Sequence, residues 1–138
     1  MSDPGPFQLD PRLAAESHAI TEWPLCHLRL VDDARFPWLL LVPRVAGARE
    51  IHALSPTQRS VLFGEMTRAA AALERACDAE KMNVAALGNV VAQLHVHVVA
   101  RFAADAAWPG PVFGVPGRLA RTPSQREALL ARVVAALG

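Results

Sequence analysis

The chain has 138 residues, with 14 Lys and Arg against 13 Asp and Glu, for a formal net charge of +1. That length fits a single domain, 1–138, large enough to bury a core without a disulfide or metal staple. A balance this close to neutral excludes the broad basic field of a sequence-independent nucleic-acid binder, and 52% hydrophobic with 20% charged residues excludes a disordered chain.

Met1–Asp10 is polar and Pro-rich, with no basic start leading into an apolar run, so it does not read as a signal peptide. Asp10-Pro11 predicts an N-cap and first helical residue for a short helix through about Ser17. Leu25–Val31 alternates Leu or Val with Cys26, His27 and Arg29 and predicts a strand with one buried face. Asp32–Pro37 is a turn, and the uniformly apolar Trp38–Val42 predicts a central strand ended by Pro43, the partner of the first in a hairpin. Ser55-Pro56-Thr57-Gln58 is a capping box that opens a helix with Leu62, Met66, Ala69, Leu73 and Cys77 on one stripe. Met82–Leu87 and Leu94–Arg101 predict two more strands joined through Gly88-Asn89. Ala107–Pro111 must be a loop. Thr122-Pro123-Ser124-Gln125 is a second capping box, opening a helix over about 123–137. Consecutive strands without intervening helices predict an α+β fold, an antiparallel sheet with helices on one face.

The apolar runs at Trp38–Pro43 and after Leu94 fall far short of the roughly 20 residues that span a bilayer, so no membrane partner is expected. Cys26 and Cys77 form no C-x-x-C pair and read as buried thiols, which suits a cytoplasmic protein.

Five histidines are present, and two share one segment, Gln93-Leu94-His95-Val96-His97-Val98-Val99-Ala100-Arg101. On a strand, Gln93, His95, His97, Val99 and Arg101 point one way and Leu94, Val96, Val98 and Ala100 point into a core. Three chemistries fit this face. The histidines can be surface residues on a solvated strand. They can ligate Zn²⁺, although the further ligands this needs (His27, Cys26, Asp32 or Asp33) have no diagnostic spacing, so no metal or cofactor is expected. Or one imidazole can attack a phosphate while its neighbours bind the phosphoryl oxygens.

Gln93–Val99 resembles the histidine triad (HIT) motif, His-φ-His-φ-His-φ-φ with φ apolar, carrying Gln in the first position. Other landmarks follow in order. Asn83 with Gly88-Asn89 is similar to the family's Asn…Gly-Gln segment. Trp38–Arg44 is similar to its His-apolar-Leu-Val-x-Pro-Lys/Arg strand, and Leu30-Val31-Asp32 to the strand end that holds a ribose. Trp108-Pro109-Gly110 is similar to a C-terminal Trp-Pro segment. The likeness covers about 25–114, and the Gln-containing motif resembles a bacterial subgroup.

The resemblance implies a homodimeric HIT-like fold of about five strands that binds nucleotides. It implies a hydrolase or transferase acting at the α-phosphate of nucleoside phosphoramidates, dinucleoside polyphosphates or nucleotidyl conjugates. His95 would be the nucleophile, nucleotidylated in turn. His97 would bind the phosphate and assist the leaving group, and Gln93 would take the first triad place. Asn89 would contact the phosphate, and Asp32 or Asp33 the ribose. Asn83, Arg101 and Trp38 fall among the substrate-binding positions, with Arg44 a further cation. A carbonyl in the Gly88–Val90 turn would orient His95. Two histidines of the pattern are replaced, by Gln93 and Trp38. Gln cannot carry a proton charge, so a required cationic first His would cost roughly 10²–10⁴ in rate. The alternative function is a nucleotide-binding protein that keeps the pocket without turnover.

Overall fold

A computed structural model describes residues 5–138; Met1–Pro4, part of the segment read for a leader, lie outside the described residues. Helix α1 spans Pro11–Ala15, with Asp10 accepting from the Arg12 N–H, and ends two residues before the predicted limit. The chain then enters a strand that the sequence reading did not anticipate, β1 at Ser17–Glu22. Its residues, Ser-His-Ala-Ile-Thr-Glu, lack a clean alternation because an edge strand with a register shift between Ala19 and Thr21 presents little consistent buried face.

The expected elements follow: β2 at Cys26–Val31, β3 at Trp38–Pro43, α2 at Pro56–Cys77, β4 at Lys81–Ala85, β5 at Val96–Arg101 and α3 at Pro123–Leu137, with an additional 3₁₀ turn at Ile51–Ala53 before α2. Both capping boxes form, with Ser55 and Gln58 exchanging bonds at the start of α2 and Thr122 and Gln125 at the start of α3. The five strands make one antiparallel sheet in the order β1-β2-β3-β5-β4. Among the described residues no helix is long and apolar enough to cross a membrane.

The sheet's two faces are covered differently. Leu28, Leu30, Leu39, Leu41, Val96, Val98 and Ala100 pack against Leu62, Ala69 and Leu73 of α2 and Leu129 and Val133 of α3. Burial at about 25 cal/mol per Å² makes this two-helix face the main source of stability. The other face has no long helix. One apolar cluster there joins Leu13 of α1 to Val31, Leu40, Val42 and Val91, and a separate one joins Phe36, Val99 and Val112. Between these two clusters the face stays open.

Candidate functional site

The opening is a cleft of about 350 Å³, within the range that holds small ligands. Leu40, Val31 and Leu13 form its apolar wall, Trp38 and Phe113 its opposite wall, and His95 and His97 enter it together. Gly88 and Asn89 line the rim. Gly88 has φ +80°, a left-handed conformation that favours glycine, so the turn into the cleft depends on it.

Strand β5 begins at Val96, so the histidine segment is not one continuous strand. His97 sits in the ladder opposite Leu40 and Ala85, while His95 lies just before it. The two rings meet edge to face with centroids 4.9 Å apart. Gln93 leaves this arrangement. Its Oε1 accepts from the Asp10 N–H at 2.8 Å and its Nε2 donates to the Gln8 carbonyl at 2.8 Å, so its side chain holds the N-terminal segment. The Gln93 backbone carbonyl, in contrast, faces the Nδ1 of His95 at 2.6 Å. The carbonyl expected in the Gly88–Val90 turn is thus supplied by Gln93 itself, two residues from the imidazole it orients.

These contacts assign the protons. A carbonyl only accepts, so Nδ1 of His95 carries a hydrogen, and in the neutral form of the ring the lone pair is on Nε2. The indole N–H of Trp38 only donates, and it points at Nδ1 of His97 at 3.0 Å, so that ring carries its hydrogen on Nε2. Burial, with a smaller contribution from His95, pushes His97 down to about 4, and the ring is neutral at pH 7. Neither Nε2 has a partner among the described residues.

The remaining predicted residues divide. Asn89 is exposed at the rim with its amide unpartnered among the described residues. Asp33 reaches the cleft, but Arg35 grips its carboxylate, with Nη2–Oδ2 at 2.8 Å and Nε–Oδ1 at 3.0 Å. Burial works against ionisation of Asp33, yet the Arg35 bonds outweigh it and hold the carboxyl below its ordinary value. Asp32 accepts from the Arg121 N–H at 2.9 Å, which lowers its pKa, and lies 3.7 Å from Nε2 of His18. Arg101, fully buried, and Asn83 lie outside the cleft. Arg101 grips Asp105 through Nε at 2.8 Å and Nη2 at 3.1 Å, and donates to Asn83 Oδ1 at 2.7 Å and to the Gly110 carbonyl at 2.7 Å. Arg44 is spent on Glu22 and the carbonyls of Trp23 and Pro24. Trp108 stacks under the Arg101 guanidinium. The cations at the cleft are Arg35 and Arg118, which sequence spacing did not single out because they come from a turn and a long loop. No group of three or more potential metal ligands occurs among the described residues.

The HIT domain model matches residues 12–104. The chain belongs to the histidine triad family. HIT superfamily members are in general nucleotide-binding hydrolases and transferases. A HIT protein from Sinorhizobium meliloti is 42% identical to this HIT chain, over 94% of this chain and 96% of its own, with a TM-score of 0.92. A histidine triad protein from Bradyrhizobium japonicum is 39% identical over 97% and 100%, with a TM-score of 0.94. One from Marinobacter aquaeolei is 42% identical over 96% and 97%, with a TM-score of 0.93. No curated protein matches.

Proposed function

We propose that this HIT chain is a nucleotide hydrolase or transferase acting at the α-phosphate of a nucleoside phosphoramidate, dinucleoside polyphosphate or nucleotidyl conjugate, through a nucleotidyl-His95 intermediate. The observation that carries this reading is the opposite tautomers of the two imidazoles: a lone pair on His95 Nε2 beside an N–H on His97 Nε2 in one cleft. A lone pair can attack phosphorus, and the adjacent donor can hold a phosphoryl oxygen as charge develops on it. On this reading Asn89 and the backbone N–H groups of the Gly88–Val90 turn, which line the cleft, take further oxygens. The apolar wall of Leu13, Val31 and Leu40 suits a base and ribose, with Asp33 in the same lining and its neighbour Asp32 outside it.

On this reading 1–138 is one HIT-like domain, of the subgroup with Gln in the first triad position, working in the cytoplasm without a cofactor. Its free thiols Cys26 and Cys77 suit that compartment. It pairs as a homodimer through the edge strand β4, beside which Val84, Leu87 and Val90 are exposed. His95→Ala is expected to abolish hydrolysis of an adenosine phosphoramidate or diadenosine polyphosphate while leaving thermal unfolding unchanged. Nucleotide binding in the wild type, seen by calorimetry with no product from any of these substrates, would favour the non-catalytic alternative.

A further inference from the structure

The residue at the position of the missing fourth histidine, Trp38, is bonded to the site. Its ring packs 5.6 Å from His97, and Phe113 lies 4.8 Å from His97 on another side. The indole N–H cannot accept and cannot titrate, so it holds Nδ1 of His97 as a permanent acceptor. A histidine at position 38 could present either a lone pair or a proton to that nitrogen, and would leave the tautomer of His97 open.

We propose that Trp38 is a positioning residue that fixes His97 as a neutral Nε2–H donor, and that the cleft therefore takes α-phosphate substrates whose leaving group departs as an anion, such as a phosphate, in preference to an amine. This deepens the catalytic reading above and rests on it. Protonating His97 would set an N–H against the indole N–H in a half-buried position. Releasing its Nε2 proton would leave an imidazolate. His97 thus lends a hydrogen bond and no proton.

The other titratable groups of the cleft do not replace it. His95 has its Nδ1 proton on the Gln93 carbonyl and its Nε2 committed to phosphorus. Asp33 is held ionised by Arg35, and Arg35 and Arg118 do not release protons at neutral pH. Glu16 lies at the leading end of β1, three strands from β5, about 14 Å across the sheet. His52 and Glu50 line a smaller neighbouring groove that shares Gly88 and His95 with the cleft. Around His97 itself, β3 presents Trp38 and Leu40, β4 presents Ala85 and the loop presents Phe113, so His95 is its titratable neighbour.

The step balances without an acid. The His95 Nε2 pair forms the N–P bond as the P–O bond breaks, and that bond's electrons leave on the departing oxygen. His95 keeps its Nδ1 proton and carries the positive charge until water, giving its proton to solvent, displaces it and restores the lone pair. An amine would instead have to leave as a far more basic anion.

Two measurements test this. Nitrogen-15 chemical shifts of the wild-type histidines at pH 6–8 are expected to show His97 as the Nε2–H tautomer. Trp38→Phe, which keeps an aromatic ring but removes the donor along with part of the indole, is expected to show both tautomers and a kcat lower by about tenfold with KM little changed, the loss of one hydrogen bond. Nδ1–H on wild-type His97, or unchanged shifts in a folded Trp38→Phe, would overturn the role of Trp38. In the second measurement, adenosine 5′-aryl phosphates and an adenosine 5′-alkylphosphoramidate are compared. Rates are expected to fall steeply with leaving-group basicity, with the alkylphosphoramidate at least about 100-fold slower than the most acidic phenol. Equal rates, or amine cleavage lost in His52→Gln, would overturn the substrate class. Hydrolysis of none of them would overturn the catalytic reading and the substrate class with it, while the tautomer measurement still decides Trp38.

Discussion

The two ends of one strand face make the most instructive contrast in this molecule. His97 and Arg101 project from the same side of β5, four residues apart. At the Arg101 end the guanidinium is enclosed, and Asp105, Asn83 and the Gly110 carbonyl take its donors. At the His97 end Phe113 packs against the imidazole but leaves the cleft open, and the two imidazoles keep one nitrogen each unspent. A row of polar residues on a strand is therefore not yet a site. It becomes one only where its bonding capacity is left over after folding, and the saturated end is a buried ionic network that closes the loop.

Substitutions at the two ends should separate cleanly. His95→Ala is expected to cut turnover by at least about 10³-fold, because the proposed mechanism makes His95 the nucleophile, with little change in the urea midpoint. Arg101→Met should do the reverse. It leaves Asp105, only 5% exposed at its side chain, without its partner, and a loss of about 3–5 kcal/mol in denaturant unfolding is expected. If Arg101→Met instead left stability intact and raised KM for nucleotide, the contrast would fail.

Acid should also distinguish the ends by window. An unfolded imidazole takes up a proton near pH 6.5, whereas in the fold His97 does so only at about 4. Between these values the unfolded chain binds more protons, so stability falls as pH drops from 6.5 to 4, by up to about 3 kcal/mol. His97→Gln should remove that part of the slope. Asp105 is held well below the usual carboxylate range, first by its bond from Arg101, so its contribution is present above the ordinary value near 3.9 and is lost only as pH falls below it.

The smallest effect is expected at Gln93. Gln93→Ala removes two bonds to the segment at Gln8 and Asp10, costing about 1 kcal/mol and speeding hydrogen exchange of the Asp10 amide. Gln93→His should not raise turnover, since the side chain faces that segment and the carbonyl that orients His95 is unaltered. A rate gain would show that the side chain reaches the reacting phosphate.

Much of this was legible in the residues. Alternation placed Val96, Val98 and Ala100 in the core, and two Ser/Thr-Pro-x-Gln boxes placed both long helices, because these are local rules with a fixed period or offset. The histidine pair was legible as a candidate through the resemblance of Gln93–Val99 to the triad motif, and the fold brings both rings into one cleft. The saturation of Arg101 was not, since Asp105 and Gly110 reach it by a loop whose path no local pattern encodes. Edge strand β1 was missed for want of a buried stripe. The Trp38 indole bond joins residues 59 apart in sequence and requires the β3–β5 pairing to be seen. Glu65 carried no signal of its own in the helix pattern, yet its carboxylate accepts the Leu25 and Cys26 N–H groups and ties the helix to β2.

The most direct test of the open end is to quench the protein during turnover of a diadenosine polyphosphate and map the adduct by fragment mass spectrometry. A nucleotidyl group on the His95 imidazole, absent in His95→Ala and still formed in His97→Gln at reduced rate, is the expected result. Sustained turnover with no adduct on His95, or with the group on another residue, would contradict it.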